Sequence, residues 1–330
     1  MSDVTTTGWR LAASLCALAL GPLAVAAPAG QPPAHIAPGS PLLHIDPKEV
    51  ECGRPAIALM DATRITTGWD HRKFPAFKVI GNTYSVGISA VTAYLIKTSD
   101  GLILIDTTFD ETAPWVAESI EKLGFKLADI KIILGSHAHL DHQGGSAWMK
   151  AHAPAAKLMI MEGDAETVEK GAPGVQGIGR GMPPVKVDQV LHDGDKVTLG
   201  DVTVLVWKTA GHTPGASSFE WTTSENGKTY DVLLMGSQQA AEKLVPEGYP
   251  GIVKDQIEGW EKLLSLKPDV WFGGHPWQHN NVDKYEAMLA EPGGNPFVDP
   301  QGYRCLVAAR AFDFVEELKK QEAAAATGGK

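Results

Sequence analysis

"GSHAHLDHQGG", residues 135–145, contains three histidines and one aspartate within six positions. The histidines directly follow "KIILGS", residues 131–136, an apolar run that predicts a buried strand. Imidazole and carboxylate groups are zinc ligands in proteins. The pattern H-x-H-x-D-H between a buried strand and two glycines is far more specific than a lone histidine. The stretch therefore predicts a metal site at the end of a strand.

Two further histidines also follow apolar strands. His212 lies in "TAGHTPGAS", residues 209–217, after the predicted strand "VTVLVWK", and His275 lies in "PDVWFGGHP", residues 268–276. In α/β architectures, ligand-binding residues gather at the carboxyl ends of strands. Three strands that each lead into histidine therefore predict one site at one edge of the fold. His279, four residues after His275, is an alternative candidate for the last ligand.

The spacing within the cluster predicts two metals. His137 and His139 are two residues apart, so in an extended segment they point to the same side, whereas His142 turns the other way. Catalytic zinc sites hold three protein ligands and keep one position open. Two metals about 3.5–4 Å apart ionise a water between them near neutral pH. The predicted sites are His137/His139/His212 and Asp141/His142/His275.

The composition limits the class of protein. The 330 residues are 44% apolar and 21% charged, which allows a packed core and excludes global disorder. The formal net charge is −10 without a long run of one sign, so we expect no nucleic-acid partner. Apolar strands alternate with helical segments in two halves, which predicts sheets between helices in one domain. The oligomeric state is not indicated.

The N-terminus predicts export. Arg10 precedes an apolar run at residues 11–20, too short to span a bilayer, and Ala24-Val25-Ala26 resembles a cleavage site. We expect residues 1–26 to be a signal peptide of a periplasmic or secreted protein that has no membrane segment after cleavage. An N-terminus without regular structure is the alternative. The domain prediction continues with an N-terminal extension (27–75), a catalytic domain (76–318) and a disordered tail (319–330).

The pattern resembles the metallo-β-lactamase superfamily from about residue 77 to about residue 315, and within it class B β-lactamases of subclass 3. The resemblance rests on "ADIKIILGSHAHLDHQGG" (128–145), "GISAVTAYLIKTSDGLILIDTT" (87–108), "DGDKVTLGDVTVLVWKTAGHTPGASSFEW" (193–221), "YPGIVKDQIEGW" (249–260) and "PDVWFGGHP" (268–276). It implies a four-layer αββα sandwich of the α/β (α+β) class. It also implies two Zn²⁺ ions held by the two predicted triads and a small-molecule β-lactam substrate.

The resemblance also implies a mechanism. Water activated between the two metals attacks the β-lactam carbonyl, while Asp141 orients the nucleophile and transfers a proton to the leaving nitrogen. Two alternatives stay open. One is another hydrolase on the same metal core, such as a lactonase or thioesterase. The other is a non-catalytic metal-binding protein, which six intact ligands disfavour because binding alone needs no open coordination position.

Ser237 and Gln239 bear on the substrate. In "LLMGSQQ", residues 233–239, Ser237 stands where many hydrolases of the superfamily have an aspartate that bridges both metals. Subclass 3 lactamases resemble this chain in carrying serine there. Ser237 is therefore a candidate to hydrogen-bond the attacking water or a substrate carboxylate, and a plain turn serine is the alternative. Gln239 stands where the family commonly has a small hydroxyl residue that binds the β-lactam carboxylate.

Asp106 and two cysteines complete the candidates. Asp106 ends a predicted strand, where it either forms a turn or holds a ligand residue from behind. Cys52 and Cys305 remain after cleavage and can form one bridge in an oxidising compartment. Many relatives have a cysteine where this chain has Pro268, so the resemblance leaves Cys52 as the partner for Cys305. Trp277 and the segment 171–188 are candidates for the pocket wall.

Overall fold

The structure is a computed structural model that describes residues 33–67, 71–171, 181–236, 243–290 and 293–328. The predicted signal peptide at residues 1–26 lies outside these ranges, and so do residues 172–180 of the predicted loop. Among the helices described, none is long and apolar enough to cross a membrane.

The first β-sheet follows chain order across its strands. Its strands are β1 (Phe77–Ile80), β2 (Thr83–Ser85), β3 (Tyr94–Thr98), β4 (Gly101–Ile105), β5 (Ile130–Gly135), β6 (Lys157–Met161) and β7 (Gln189–Leu191). Strands β1 to β4 pair antiparallel, and β4 to β7 pair parallel. The carboxyl ends of β4, β5 and β6 therefore lie at one edge of this sheet.

The second β-sheet has the order β12-β11-β10-β9-β8. Its strands are β8 (Lys196–Leu199), β9 (Val202–Lys208), β10 (Ser217–Glu225), β11 (Lys228–Met235) and β12 (Val270–Gly273). Strands β8 to β11 pair antiparallel, and β12 pairs parallel with β11. Strands β9, β11 and β12 therefore run in the same direction and end at the same edge.

Helices cover the outer faces of both sheets. The described α-helices are α1 (Pro47–Thr67), α2 (Ala113–Lys122), α3 (Leu140–Gln143), α4 (Ser146–His152), α5 (Ala165–Lys170), α6 (Ile252–Ser265), α7 (Asn281–Ala290) and α8 (Pro300–Gly328). Short 3-10 helices occur at Pro41–Leu43, Asp110–Thr112, Leu127–Asp129 and Pro276–His279.

Alternation of side chains along the strands separates the layers. Ile103 of β4 packs between the sheets with Phe219 of β10, whereas its neighbour Leu104 joins the core under α2 and α4. On the second sheet, Leu233 of β11 faces outward and packs with α6 and α8. The result is two sheets packed face to face between two helical layers, and the predicted αββα sandwich is confirmed.

The N-terminal extension contains a helix that the sequence analysis does not predict. Residues 47–67 form α1, which packs against α8, and a disulfide joins Cys52 of α1 to Cys305 of α8 with the two Cα atoms 5.4 Å apart. Pro55 lies inside α1, where it removes a backbone donor, so this helix depends on packing rather than on intrinsic propensity. The extension is therefore part of the helical layer.

The C-terminal tail also differs from its prediction. The sequence predicts a disordered segment at residues 319–330, whereas α8 continues to Gly328. Alanine has the highest helix propensity, and residues 323–326 are all alanine. Lys319 and Lys320 pair with Glu316 and Glu317 one turn earlier, which supports the same helix.

Candidate metal centre

The first predicted triad comes together at the shared strand edge. The ligand atoms of His137, His139 and His212 all lie within 4.8 Å of one another. The ring centroid of His212 is 4.9 Å from that of His137 and 4.5 Å from that of His139. His137 and His139 follow β5, while His212 follows β9 of the other sheet. Both sheets therefore contribute to this group.

The second predicted triad lies directly beside the first. The ligand atoms of Asp141, His142 and His275 also fall within 4.8 Å of one another. Asp141 Oδ2 is 3.3 Å from Nε2 of His142 and 3.6 Å from Nε2 of His275. The rings of His137 and His142 have centroids 4.1 Å apart and connect the two groups. The arrangement offers two adjacent three-ligand sites.

A change of backbone conformation divides the cluster between the two sites. His139 has an extended conformation (φ −98°, ψ 152°), and α3 begins at the next residue, Leu140. Asp141 and His142 consequently lie in the first turn of a helix, and their side chains leave in a different direction from those of His137 and His139. The sequence predicts the division between the sites, and the start of α3 is its structural cause.

Asp106 holds ligand residues from behind. Its Oδ2 accepts hydrogen bonds from Ser136 Oγ (2.7 Å) and from His142 Nδ1 (3.0 Å), and its Oδ1 accepts from Ser136 N (2.7 Å) and Gln143 Nε2 (2.9 Å). Because Ser136 donates its proton to Asp106, its oxygen accepts from His137 Nδ1 at 3.1 Å. Asp106 also has φ 61°, a left-handed backbone conformation, and its hydrogen bonds favour the interpretation that it holds ligand residues from behind.

His275 is held from two sides. Its Nδ1 donates to the carbonyl oxygen of Ala90 at 2.9 Å, which leaves Nε2 toward Asp141. Trp277 stacks on the His275 ring with centroids 4.1 Å apart and is itself buried. The backbone of the preceding residue, Gly274, lies close to the ring of His142. Glycine allows this close approach, because a Cβ at position 274 would lie 2.9 Å from Cε1 of His142.

His279, the alternative ligand, lies outside both triads. It is buried, its Nδ1 accepts from the backbone N–H of Gly273 at 3.2 Å, and its Nε2 is 3.1 Å from the hydroxyl of Tyr94. Both ring nitrogens therefore have partners in the core. The geometry favours His275 over His279 as a ligand.

Asp164 is a site residue that the sequence analysis missed. It follows β6, and its Oδ2 accepts from Ala138 N (2.7 Å) and Thr213 Oγ1 (2.6 Å), while Oδ1 accepts from Gly215 N (2.9 Å). It thus joins the loop of His137 and His139 to the loop of His212. Burial raises the pKa of Asp164. The available signal was its place just after a buried strand at the edge where the histidines gather.

The donor atoms fit zinc. Among the residues that the structure describes, Nε2 of His137 and Nε2 of His142 are buried without a hydrogen-bond partner, although burying such an atom unpaired costs free energy. Burial lowers the pKa of His137 well below its ordinary value, that of His212 to about 3 and that of His275 to about 4. These rings are therefore neutral at pH 7, as metal ligation requires.

The second triad favours a cation. Burial disfavours a charged ring at His142, but Asp141 and Asp106 outweigh it and raise the pKa of His142 to about 10. Burial alone would raise the pKa of Asp141, yet His142 holds it well below its ordinary value. Two carboxylates thus stabilise positive charge here, and a bound zinc ion would supply that charge in place of the ring proton.

The two predicted substrate-binding residues, Ser237 and Gln239, lie outside the described residues. The described residues after β11 end at Gly236, whose backbone N–H donates to Ser218 Oγ at 3.4 Å. The sequence predictions for Ser237 and Gln239 stay predictions.

With this geometry established, comparison with known proteins identifies the family. The sequence model of the metallo-beta-lactamase superfamily matches residues 86–275. The chain belongs to the metallo-β-lactamase superfamily. Membership supports a metal-binding hydrolase that acts on a small-molecule substrate.

Solved structures of superfamily members resemble more than three quarters of the chain. BJP-1, a subclass B3 metallo-β-lactamase of Bradyrhizobium japonicum, is 37% identical with a TM-score of 0.71, over 79% of this chain and 99% of that chain. LRA-12, a class B3 di-zinc metallo-β-lactamase from an Alaskan soil metagenome, is 31% identical with a TM-score of 0.67, over 76% of this chain and 95% of that chain.

Curated sequences give a different group of relatives. A hydroxyacylglutathione hydrolase of Rhodopseudomonas palustris is 29% identical over 52% of this chain and 57% of its own length. The chain spans less than two thirds of the length of this relative and of seven other curated relatives.

Proposed function

We propose that this member of the superfamily is a β-lactamase that opens the β-lactam ring with two zinc ions. The observation that carries the proposal is the pair of adjacent three-ligand groups, connected by the 4.1 Å separation of the His137 and His142 rings. Three ligands per metal leave a coordination position for water or substrate at each site. His137, His139 and His212 would hold one ion, and Asp141, His142 and His275 the other.

The resemblance to subclass B3 structures supports a β-lactam substrate. BJP-1 and LRA-12 are covered over 99% and 95% of their lengths. Ser237 follows β11 at the position where other hydrolases of the superfamily have a bridging aspartate, and subclass 3 lactamases resemble this chain there. Both observations favour cleavage of a cyclic amide over cleavage of a thioester.

The protein's own groups prepare the reaction. When bound, zinc polarises a substrate carbonyl and makes water nucleophilic at neutral pH. Ser136, Asp106 and the carbonyl of Ala90 accept from the Nδ1 atoms of His137, His142 and His275, so each Nε2 faces the centre. The Asp141 carboxylate accepts a hydrogen bond from the attacking water. As the water oxygen bonds to the lactam carbonyl carbon, Asp141 takes up the proton that the water releases, and it passes this proton to the lactam nitrogen as the C–N bond breaks.

Export to an oxidising compartment is part of the proposal. Residues 1–26 would be removed as a signal peptide, and the Cys52–Cys305 disulfide supports a periplasmic or secreted location because such bonds persist there. N-terminal sequencing of the protein recovered from the periplasm of a Gram-negative host should start near residue 27. Recovery of uncut protein from the cytoplasm alone would contradict export.

Thioester hydrolysis is the second candidate, and one observation favours it. The hydroxyacylglutathione hydrolase of R. palustris is a curated relative, and by its name it acts on thioesters of glutathione. The serine at position 237 argues against it, since that class typically has a bridging aspartate there.

A substrate panel tests both candidates. Purified protein lacking residues 1–26 is assayed with a carbapenem, a cephalosporin, S-lactoylglutathione and an acyl-homoserine lactone, before and after treatment with a chelator. We expect chelator-sensitive turnover of at least one β-lactam, restored by zinc. Turnover of the thioester or lactone without turnover of either β-lactam would overturn the proposal.

A further inference from the structure

Asp164 sits between two loops that each carry ligands of the same predicted site. Its Oδ2 accepts from the backbone N–H of Ala138, which lies between His137 and His139. The same oxygen accepts from the hydroxyl of Thr213, the residue after His212, and Oδ1 accepts from Gly215 N. One buried carboxylate is therefore bonded to both loops of the first triad.

The close packing around Asp164 restricts the distance between the two loops. A Cβ at Gly215 would lie 2.6 Å from both Cβ and N of Asp164, so the loop of His212 touches the turn after β6. Asp106, by comparison, is bonded to Ser136, His142 and Gln143, all within the segment that follows β5. Asp106 acts within one loop, and Asp164 acts between two.

We propose that Asp164 is a positioning residue for the first zinc site. By bonding both loops, it fixes the distance from His212 to His137 and His139, and thereby sets the zinc affinity of that triad. The inference rests on the proposed zinc-binding function and assigns no contact between Asp164 and the metal.

The chemistry of the three donors explains why a carboxylate is needed. Asp164 accepts two N–H bonds and one O–H bond on its two oxygens. Asparagine has nearly the same shape but only one oxygen, so its NH₂ group would face at least one of these donors. A buried donor without an acceptor is unfavourable, and the loops would move apart to relieve it.

Zinc affinity measured at one site at a time tests the proposal. In an H275A background, which lacks a second-site ligand, D164N should lower zinc affinity about 10–100-fold, the usual effect of removing a group that orients metal ligands. In an H212A background, which lacks a first-site ligand, D164N should change it less than about 3-fold. Affinities are measured by competition with a chromophoric chelator.

A second aspartate, beside the other end of β6, provides the control. Asp188 accepts from the backbone N–H of Leu158, near the start of β6 and away from the histidines, so D188N should leave zinc affinity at both sites unchanged. Thr213→Val removes one of the three donors. If D164N fails to fold, T213V carries the test, with a several-fold loss expected in the H275A background.

The outcomes separate this inference from the proposed function. Wild-type protein that binds no zinc would overturn the proposed function. Wild-type protein that binds two zinc ions, with D164N or T213V affinities unchanged or lowered equally in both backgrounds, would overturn the role of Asp164 alone. Selective loss in the H275A background supports it.

Discussion

Asp106 Oδ2 lies 3.0 Å from Nδ1 of His142 and accepts a second hydrogen bond from Ser136, which in turn accepts from His137. One carboxylate oxygen therefore orients a ligand of each predicted zinc site. Because each histidine uses Nδ1 for this contact, its Nε2 faces the centre and would supply the lone pair that binds a metal ion.

Replacing Asp106 with asparagine should weaken both sites. The amide NH₂ would face donors of Ser136, His142 or Gln143, and the rings of His137 and His142 would lose their fixed tautomer. We expect zinc affinity to fall about 10–100-fold at both sites. Zinc per chain after dialysis against a weak chelator measures it. Ser136→Ala is the matched comparison and should affect mainly the first site; wild-type affinity in D106N would contradict the role of Asp106.

His275 and His279 should give opposite results when each is changed to alanine. H275A removes a ligand of the second triad, so zinc content should fall from about two to about one per chain. H279A should keep the zinc and lower the free energy of unfolding by about 2–4 kcal/mol, because Tyr94 and Gly273 lose a buried partner. Elemental analysis measures the zinc content of each variant, and urea unfolding measures its stability. Zinc loss in H279A alone would reverse the ligand assignment.

Gly274→Ala tests the close approach to His142. The added Cβ would lie 2.9 Å from Cε1 of that ring, so His142 must move and second-site zinc affinity should fall about 10-fold. Gly39 has no heavy atom within 4 Å of a Cβ built on it, which makes G39A the control with unchanged affinity. Equal affinities in the two variants would show that the ring adjusts without cost.

The cluster at residues 137–142 and its division between two groups of candidate ligands could be predicted from sequence, because short-range spacing determines which side chains share a face. The layers could be predicted because β4 and its neighbours are apolar on both faces. The role of Asp164 could not be predicted, since an aspartate after a strand usually forms a turn. Its partners Ala138 and Thr213 are brought to it only by the fold. Helix α1 was missed for a related reason: its stability comes from α8 and the disulfide.

Removing the disulfide should affect stability and leave catalysis unchanged. Cys52 and Cys305 join α1 to α8 in the helical layer, and neither belongs to the metal centre. The double variant C52A/C305A should lose about 2–4 kcal/mol in free energy of unfolding. Urea unfolding of the zinc-loaded protein measures this loss, with kcat for the preferred substrate as the second measurement. A large decrease in kcat at full zinc content would show that the helical layer also shapes the site.

Zinc-free protein should lose stability as the pH falls from about 6.5 to about 4. Burial lowers the pKa of His275 to about 4 and that of His212 and His279 to about 3, whereas these histidines have a pKa near 6.5 when unfolded. Between those values the unfolded chain binds protons that the folded chain does not, so acid favours unfolding, by about 1.4 kcal/mol per pH unit for each such histidine. The raised pKa of His142 acts with the opposite sign, but only between about 6.5 and about 10, above this window.

Urea midpoints of chelator-treated protein at several pH values measure the slope. His212→Asn removes one of the contributing histidines and should reduce the slope by about one proton per unfolding event. The zinc-loaded protein should show a steeper decrease over the same range, because protonation of the ligands also releases the metal. A midpoint that stays constant or rises between pH 6.5 and 4 in the zinc-free protein would show that these rings are not held neutral by burial.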